Sequence, residues 1–557
     1  MPFGILECDR LDVVPGTACM NDQADLPGEL HDIPTSRLKH GTGKHSHIIL
    51  VPQPSDSPND PLNWPLWRKD LILLIISFSA SIVGAYGPML GPGFVTIAAE
   101  LGISVNTLSQ STSWLILTLG LCVFFANPLA KVYGKRPVYL LASALLFAVS
   151  VWGACTKSYG GFLAGRIIGG IGMAPYEVLV QATIGDIYFV HQRATRIAVW
   201  NIFLMCGIAG ASFVSGYIIE DLGYRWTFGV CAILFGVSGV LIVFLVPETS
   251  YIRPADGTTL TTRLTGDTDT EKHTPSERTN NDLTSLPACP SRPSTPFPPP
   301  TATDPPQTYL STLRPFSGRY SHAPLHRIML RPFVMFALYP SVVWALLIYG
   351  TTLSYLVVFS VVNGQIFVSA PYNFSVATTG LTGLSPFILT IIAETVSGPL
   401  NDYICLRLTQ RNRGVYEPEF RLVLMLVVVV LGALGFFGFG LTVHYQTHWA
   451  GPVLTYGAAN AAMGFAGVCV FGYLLDSYPK LAEEAFVAVN ARNFLTFGLT
   501  YFVNDWLARD GALRVFCVLG AAFVGVCALT VPLWVFGKRI RGRIARSQFL
   551  NEFMTDL

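Results

Sequence analysis

Charge is what this sequence has least of. Asp, Glu, Lys and Arg make up 13% of its 557 residues, where a soluble domain carries roughly 25%, so an ordinary soluble fold is excluded. The charges that remain nearly cancel, 36 basic against 34 acidic, and no global field marks a nucleic-acid binder. The 11 cysteines form no CxxC pair and no Cys/His cluster, which sets aside a disulfide scaffold and a zinc site. No Gly-x-x-x-x-Gly-Lys-Ser/Thr loop occurs, so nucleotide-driven work is not expected. His191, His444 and His448 read as isolated loop residues rather than a set in register at one membrane face, which argues against an intramembrane enzyme. Neither cofactor nor metal is expected.

What is present is apolar sequence: 51% hydrophobic residues and 12% aromatics. Runs free of Asp, Glu, Lys and Arg extend over Leu71–Ala99, Leu101–Ala130, Val138–Thr156, Val199–Ile219 and Trp226–Pro247, and Tyr159–Ile187 is apolar apart from Arg166, Glu177 and Asp186. Each is long enough to cross a bilayer as a helix. Farther on, Pro332–Ala393 and Leu422–Leu475 each have room for two crossings, and Ala485–Val503, interrupted by Arg492, and Val515–Gly537 supply two more. The expectation is an all-α membrane protein with twelve transmembrane helices in two six-helix pseudo-repeats.

Residues 1–66 hold no apolar run of the kind a cleavable leader needs, so the first span is expected to act as its own insertion signal. Basic residues cluster before span 1, after spans 2, 4 and 8, and after span 12, and are sparse in the alternate loops. That asymmetry puts both termini in the cytosol. Five segments follow: a disordered cytosolic tail at 1–66, a bundle at 67–247, a disordered cytosolic linker at 248–331, a second bundle at 332–537 and a basic tail at 538–557. The linker is rich in Ser, Thr and Pro and cannot bury enough apolar surface to order itself.

The halves echo each other where their second spans end. Asn127-Pro128-Leu129-Ala130-Lys131 leads into Gly134-Lys135-Arg136, and Gly398-Pro399-Leu400-Asn401-Asp402 leads to Arg407. Gly134, Lys135 and Arg136, the Gly398-x-x-x-Asp402 spacing, and Arg166-x-x-x-Gly170-x-Gly172 in span 4 resemble motifs of the major facilitator superfamily. DPLNWPLWRK at 60–69, GYRWTF at 223–228, PET at 247–249 and EPEFRL at 417–422 are similar to the fungal drug:proton antiporter group, in particular its histidinol/polyamine permease-like branch. The resemblance implies the major facilitator fold and proton-coupled transport of a small molecule by alternating access. Three features depart from it. Asn127 and Lys131 replace a Gly and an acid, which weakens the expected contact at that gate. Span 5 reads Ala211-Ser212-Phe213-Val214-Ser215-Gly216 in place of the antiporter signature, and Ala194 replaces a Gly.

Ionisable groups inside a bilayer are costly and call for a partner, a water-filled cavity or a task. At 1.5 Å per residue Arg166 lies about 10 Å below the outer surface, with Glu177 about 16 Å deeper. Glu177 is a candidate for the coupling proton or for a substrate's positive charge; the alternative is a packing hydrogen bond, for instance with Gln181. Glu394 in span 8 sits at the matching depth, with Thr390 or Thr395 as packing partners in the alternative reading. Arg166 is either an anion contact or structural. At the inner ends, Asp186 faces Lys135 and Arg136, with Arg193 beyond, and Asp402 faces Arg407; these are candidate gating groups.

The reading is a secondary transporter exporting a drug or secondary metabolite, with uptake of organic cations and a non-transporting nutrient sensor as alternatives. Expected partners are a small-molecule substrate, protons and membrane lipid, with no nucleic acid, around a monomer in the plasma membrane or a vacuolar one.

Overall fold

A computed structural model describes residues 4–6, 14–19, 54–55, 57–251, 308–316, 318–320, 324–478, 481–547 and 550. Ten apolar runs cross in succession: Leu66–Leu101, Val105–Tyr133, Lys135–Cys155, Tyr159–Ile187, Thr195–Leu222, Tyr224–Leu245, Pro340–Val368, Val376–Arg411, Pro418–His444 and Ala450–Ser477, here spans 1 to 10. The last run, Ala482–Ala545, has 64 residues, too many for one crossing at 1.5 Å each. Gly511 breaks it, with φ 77° inside an otherwise helical stretch. Only glycine enters that conformation without a steric penalty, so the run folds back there into spans 11 and 12. The expected count of twelve holds.

Large apolar side chains such as Leu141, Ile233, Leu426 and Val430 are mostly exposed because the solvent for the outer wall is lipid rather than water. The interior is close-packed, and span 1 shows how its sequence sets its shape. Pro88 and Pro92 lack the N–H a continuing α-helix needs. The α-helix therefore stops at Tyr86, runs as a 3-10 turn through Pro88–Gly93 and resumes at Phe94. At the bend a Cβ on Gly91 would lie 2.7 Å from the Ser360 carbonyl oxygen of span 7, so the small residue permits the close approach.

The segment boundaries shift in three places. Within the tail at 1–66, Ile5 and Val14 are buried, and Ala18–Cys19 pairs antiparallel with Val415–Tyr416; these residues are folded against the second bundle because their apolar side chains find its inner face. The linker's described end forms the helix Leu325–Leu338, so the boundary at 331/332 falls inside a helix, held by buried Ile328, Arg331 and Met335. Phe333 on this helix stacks on Phe124 of span 2 at 4.7 Å. The basic tail begins inside the helix Thr530–Ala545, where Arg541 is 1% exposed. Residues 20–53 and 252–307 lie outside the described residues.

Candidate functional site

Between the two bundles lies a cavity of about 130 Å³, walled by spans 1, 2, 4, 5, 7, 10 and 11. Most of the wall is aliphatic or aromatic. Its polar part includes Thr112, Glu177, Ser360, Asn460, Arg492, Asn493 and Thr496. Glu177 of span 4 accepts a hydrogen bond from Arg492 Nη2 of span 11, forming an ion pair between the halves, and a second at 3.3 Å from Asn493 Nδ2. Arg492 Nη1 donates to Asn493 Oδ1 at 3.0 Å, and the guanidinium lies 5.2 Å from the Tyr349 ring centroid. Arg492 Nε and Thr112 Oγ1 are buried without a hydrogen-bond partner among the described residues. A ligand in the cavity therefore meets one compensated charge pair, unspent hydrogen-bonding capacity and a broad apolar surface.

The halves also touch on both sides of the cavity. Toward the outer face, Asn106 Nδ2 donates to Asp505 Oδ1 at 2.8 Å, Asn504 Nδ2 to Ser109 Oγ at 2.6 Å and Ser113 Oγ to Thr500 Oγ1 at 2.9 Å. Toward the inner face, Lys131 Nζ lies 2.7 Å from both Glu483 and Glu484. Both acids stand in the first turn of the helix Ala482–Val489, where negative charge is favoured by the helix dipole. The departure at position 131 therefore does not weaken the gate contact. It replaces an acid aimed at a helix end with a cation paired to acids already placed there.

The other expected gating groups distribute differently. Lys135 does pair with Asp186, at 2.6 Å, but both belong to the first half, so the pair ties span 3 to span 4 and does not cross between the halves. Arg136, 2% exposed, donates to the carbonyls of Val243, Val246, Thr312 and Leu313 and so caps the end of span 6. Arg193 donates to the carbonyls of Gly185 and Tyr188 at the end of span 4. Asp402 lies 3.5 Å from Arg421, not beside Arg407, whose guanidinium stacks on Tyr403 one turn back.

Of the three intramembrane candidates only Glu177 lines the cavity. Arg166 is 1% exposed, donates to the Tyr86 carbonyl at 2.7 Å where the first α-helix stops, and sits among the rings of Tyr86, Phe162 and Phe228. Cation-π contact and a helix C-terminus both favour a cation there. Glu394 is 6% exposed and packs beside Gly464 of span 10 and Asn201 of span 5, with Thr395 bonded to its own helix at Ile391. Helix depth follows from residue spacing, but the face a side chain presents follows from how the helix is rotated by its neighbours. Arg492 was missing from the expected set, although a lone Arg inside a charge-free run is itself a sign of a buried partner.

A family model described as Major Facilitator Superfamily matches residues 72–503. The chain belongs to the major facilitator superfamily. It is accordingly a multi-pass membrane transporter and not an enzyme. An uncharacterized MFS-type transporter of Schizosaccharomyces pombe is 27% identical over 97% of this chain and 95% of its own length. Protein HOL1 of Saccharomyces cerevisiae is 26% identical over 96% of each. The efflux pump radE of Floropilus chiversii is 25% identical over 96% of this chain and 93% of its own. Among solved structures, the xylose transporter XylE from E. coli in a partially occluded inward-open conformation covers 83% of this chain and 99% of its own, with TM-score 0.54 at 14% identity, which speaks for the superfamily fold alone.

Proposed function

We propose that this superfamily member is a proton-coupled exporter of a small organic compound with a largely apolar body, and that Glu177 is the protonation site. The observation that carries the reading is the Glu177–Arg492 pair, which spans the two halves inside the cavity. Opening the inner side separates spans 4 and 11 and must break it. A proton on Glu177 removes the carboxylate charge and lowers the cost of that step, which couples proton binding to the conformational change. Export is favoured by the similarity to a relative named as an efflux pump and by a wall that suits drug-like or secondary-metabolite compounds. Uptake of organic cations has less support. One acid rather than two faces the cavity, and its charge is already compensated by Arg492.

The test is accumulation of a compound library by reconstituted liposomes under an imposed pH gradient, read by mass spectrometry with and without a protonophore. Glu177→Gln keeps the side chain's size but cannot ionise. It should abolish gradient-driven accumulation of whichever compound the wild type moves, while substrate-for-substrate exchange persists. Normal accumulation by this variant would refute the assignment of Glu177.

A further inference from the structure

A second cavity, of about 450 Å³, opens at the inner edge of the first bundle, away from the central one. It is walled by the Pro58–Asn59 turn, Trp64, Trp67 and Arg68 at the start of span 1, Phe244 and Leu245 at the end of span 6, and Tyr309. Among the described residues no Asp or Glu lines it, but two arginines do. Arg68 is half-buried and lies 4.4 Å over the Trp64 ring; among the described residues it has no ion pair. Arg136 reaches the same wall, and its Nε is buried without a hydrogen-bond partner among the described residues. Glu248 lies behind Arg136, its carboxylate taken up by the backbone N–H groups of Lys135 and Arg136. One guanidinium without an ion pair and a second with an unspent Nε, on a wall that carries no acid among the described residues, favour a planar or tetrahedral oxyanion.

The surroundings select the kind of oxyanion. Trp67 is 69% exposed and Phe244 52% exposed, and below them the apolar surface continues along span 1 through Leu71 and Leu74, both exposed. A tryptophan at this level marks the boundary between headgroups and acyl chains. A ligand with a phosphate above and hydrocarbon below satisfies both parts of the site at once, whereas a soluble phosphate leaves the lower surface bare. We infer that this cavity binds the headgroup of an anionic glycerophospholipid from the inner leaflet, with the phosphate on Arg68 and Arg136 and the acyl chains along span 1.

The full chain, purified in detergent and stripped of lipid, is titrated with dioleoyl phosphatidylserine or phosphatidylcholine. Retained lipid is counted by native mass spectrometry and the melting temperature recorded. Phosphatidylserine should be retained and raise the melting temperature more than phosphatidylcholine does. Arg68→Ala should cut its retention about five- to tenfold and remove the shift. Arg68→Lys should restore part of both, and Arg509→Ala, on the opposite face, should change neither. Equal retention by wild type and Arg68→Ala overturns the inference. So does an equal shift with inorganic phosphate, which would make this a soluble-anion site.

Discussion

Replacing Lys131 tests how the inner side is kept shut. Its ammonium is 2.7 Å from Glu483 and from Glu484, with the side chains 18%, 33% and 6% exposed respectively. An exposed ion pair contributes about 0–1 kcal/mol, and breaking a fully buried one on one side costs about 3–5 kcal/mol. The partial burial here places the loss between those limits, at about 2 kcal/mol. These acids and Lys131 lie on opposite halves, so the loss falls on the inner-closed state and not on the fold of either bundle. An equilibrium shift of that size is about 30-fold toward the inward-open state. Spin labels at Thr195 and Gln410, both exposed at the inner ends of spans 5 and 8, report it by pulsed dipolar spectroscopy in nanodiscs. Lys131→Ala should transfer population to longer distances, Lys131→Glu more so, and Lys131→Glu with Glu483→Lys and Glu484→Lys should return toward wild type. An unchanged distance distribution in Lys131→Glu would refute the latch.

Arg541 is 1% exposed and sits 2.7 Å from Glu419 and 3.1 Å from Glu417, both buried; Arg541→Ala leaves Glu417 to Lys538 but strips the buried Glu419 of its ion-pair partner among the described residues, and should cost about 3 kcal/mol or more, seen as a lower melting temperature and poor expression, with Arg541→Lys less severe. Gly91→Val places a branched side chain where even a Cβ would be 2.7 Å from the Ser360 carbonyl, so it should force spans 1 and 7 apart, raise outer-side accessibility of the cavity to thiol reagents at an engineered Ser360→Cys, and slow transport; wild-type accessibility would count against that close contact as the outer closure.

The spans were legible because their signal is one-dimensional: a helix in lipid needs an uninterrupted apolar run, and nothing about its neighbours changes that requirement. The bend in span 1 was legible for the same reason, since Pro88 and Pro92 act on their own backbone. Contacts between helices were less so. Glu394 was placed at the right depth, yet the rotation of span 8 turns it toward Asn201 and Gly464 instead of the cavity. Asp402 has Arg407 nearer in sequence, but the helix carries Arg407 onto Tyr403, and Arg421 reaches Asp402 from beyond the following turn. Lys131 looked like a lost acid because Glu483 and Glu484 are some 350 residues away. The folded ends of the tail and linker escaped notice because a few apolar residues in a polar segment gain burial only from a surface the bundles have already built.

The distribution of charge also says which parts move together. Within the first half, Arg136 caps span 6 from the start of span 3 while Glu248, just past span 6, accepts from the same start. Within the second half, Glu417 and Glu419 at the start of span 9 hold Arg541 and Lys538 at the end of span 12. The same two positions of the repeat are joined in both halves with the polarity reversed, which makes each bundle a rigid body at its inner end. Between the halves the ties are fewer and uneven. Among the described residues the ion pairs that cross are Lys131 with Glu483 and Glu484, on the inner side of the cavity, and Glu177 with Arg492, on the cavity wall itself. The outer side is joined by hydrogen bonds such as Ser109–Asn504 and Ser113–Thr500. Ion pairs with partial burial outweigh hydroxyl and amide bonds, so on the proposed reading the inner side is the more tightly tied while Glu177 is charged, although the outer set includes the carboxylates of Asp505 and Glu220, which accept from Asn106 Nδ2 and the Ala377 N–H. On the proposed coupling, protonating that single carboxylate would remove one tie between the halves and leave the outer set untouched, so that one proton would shift the preference between the two openings.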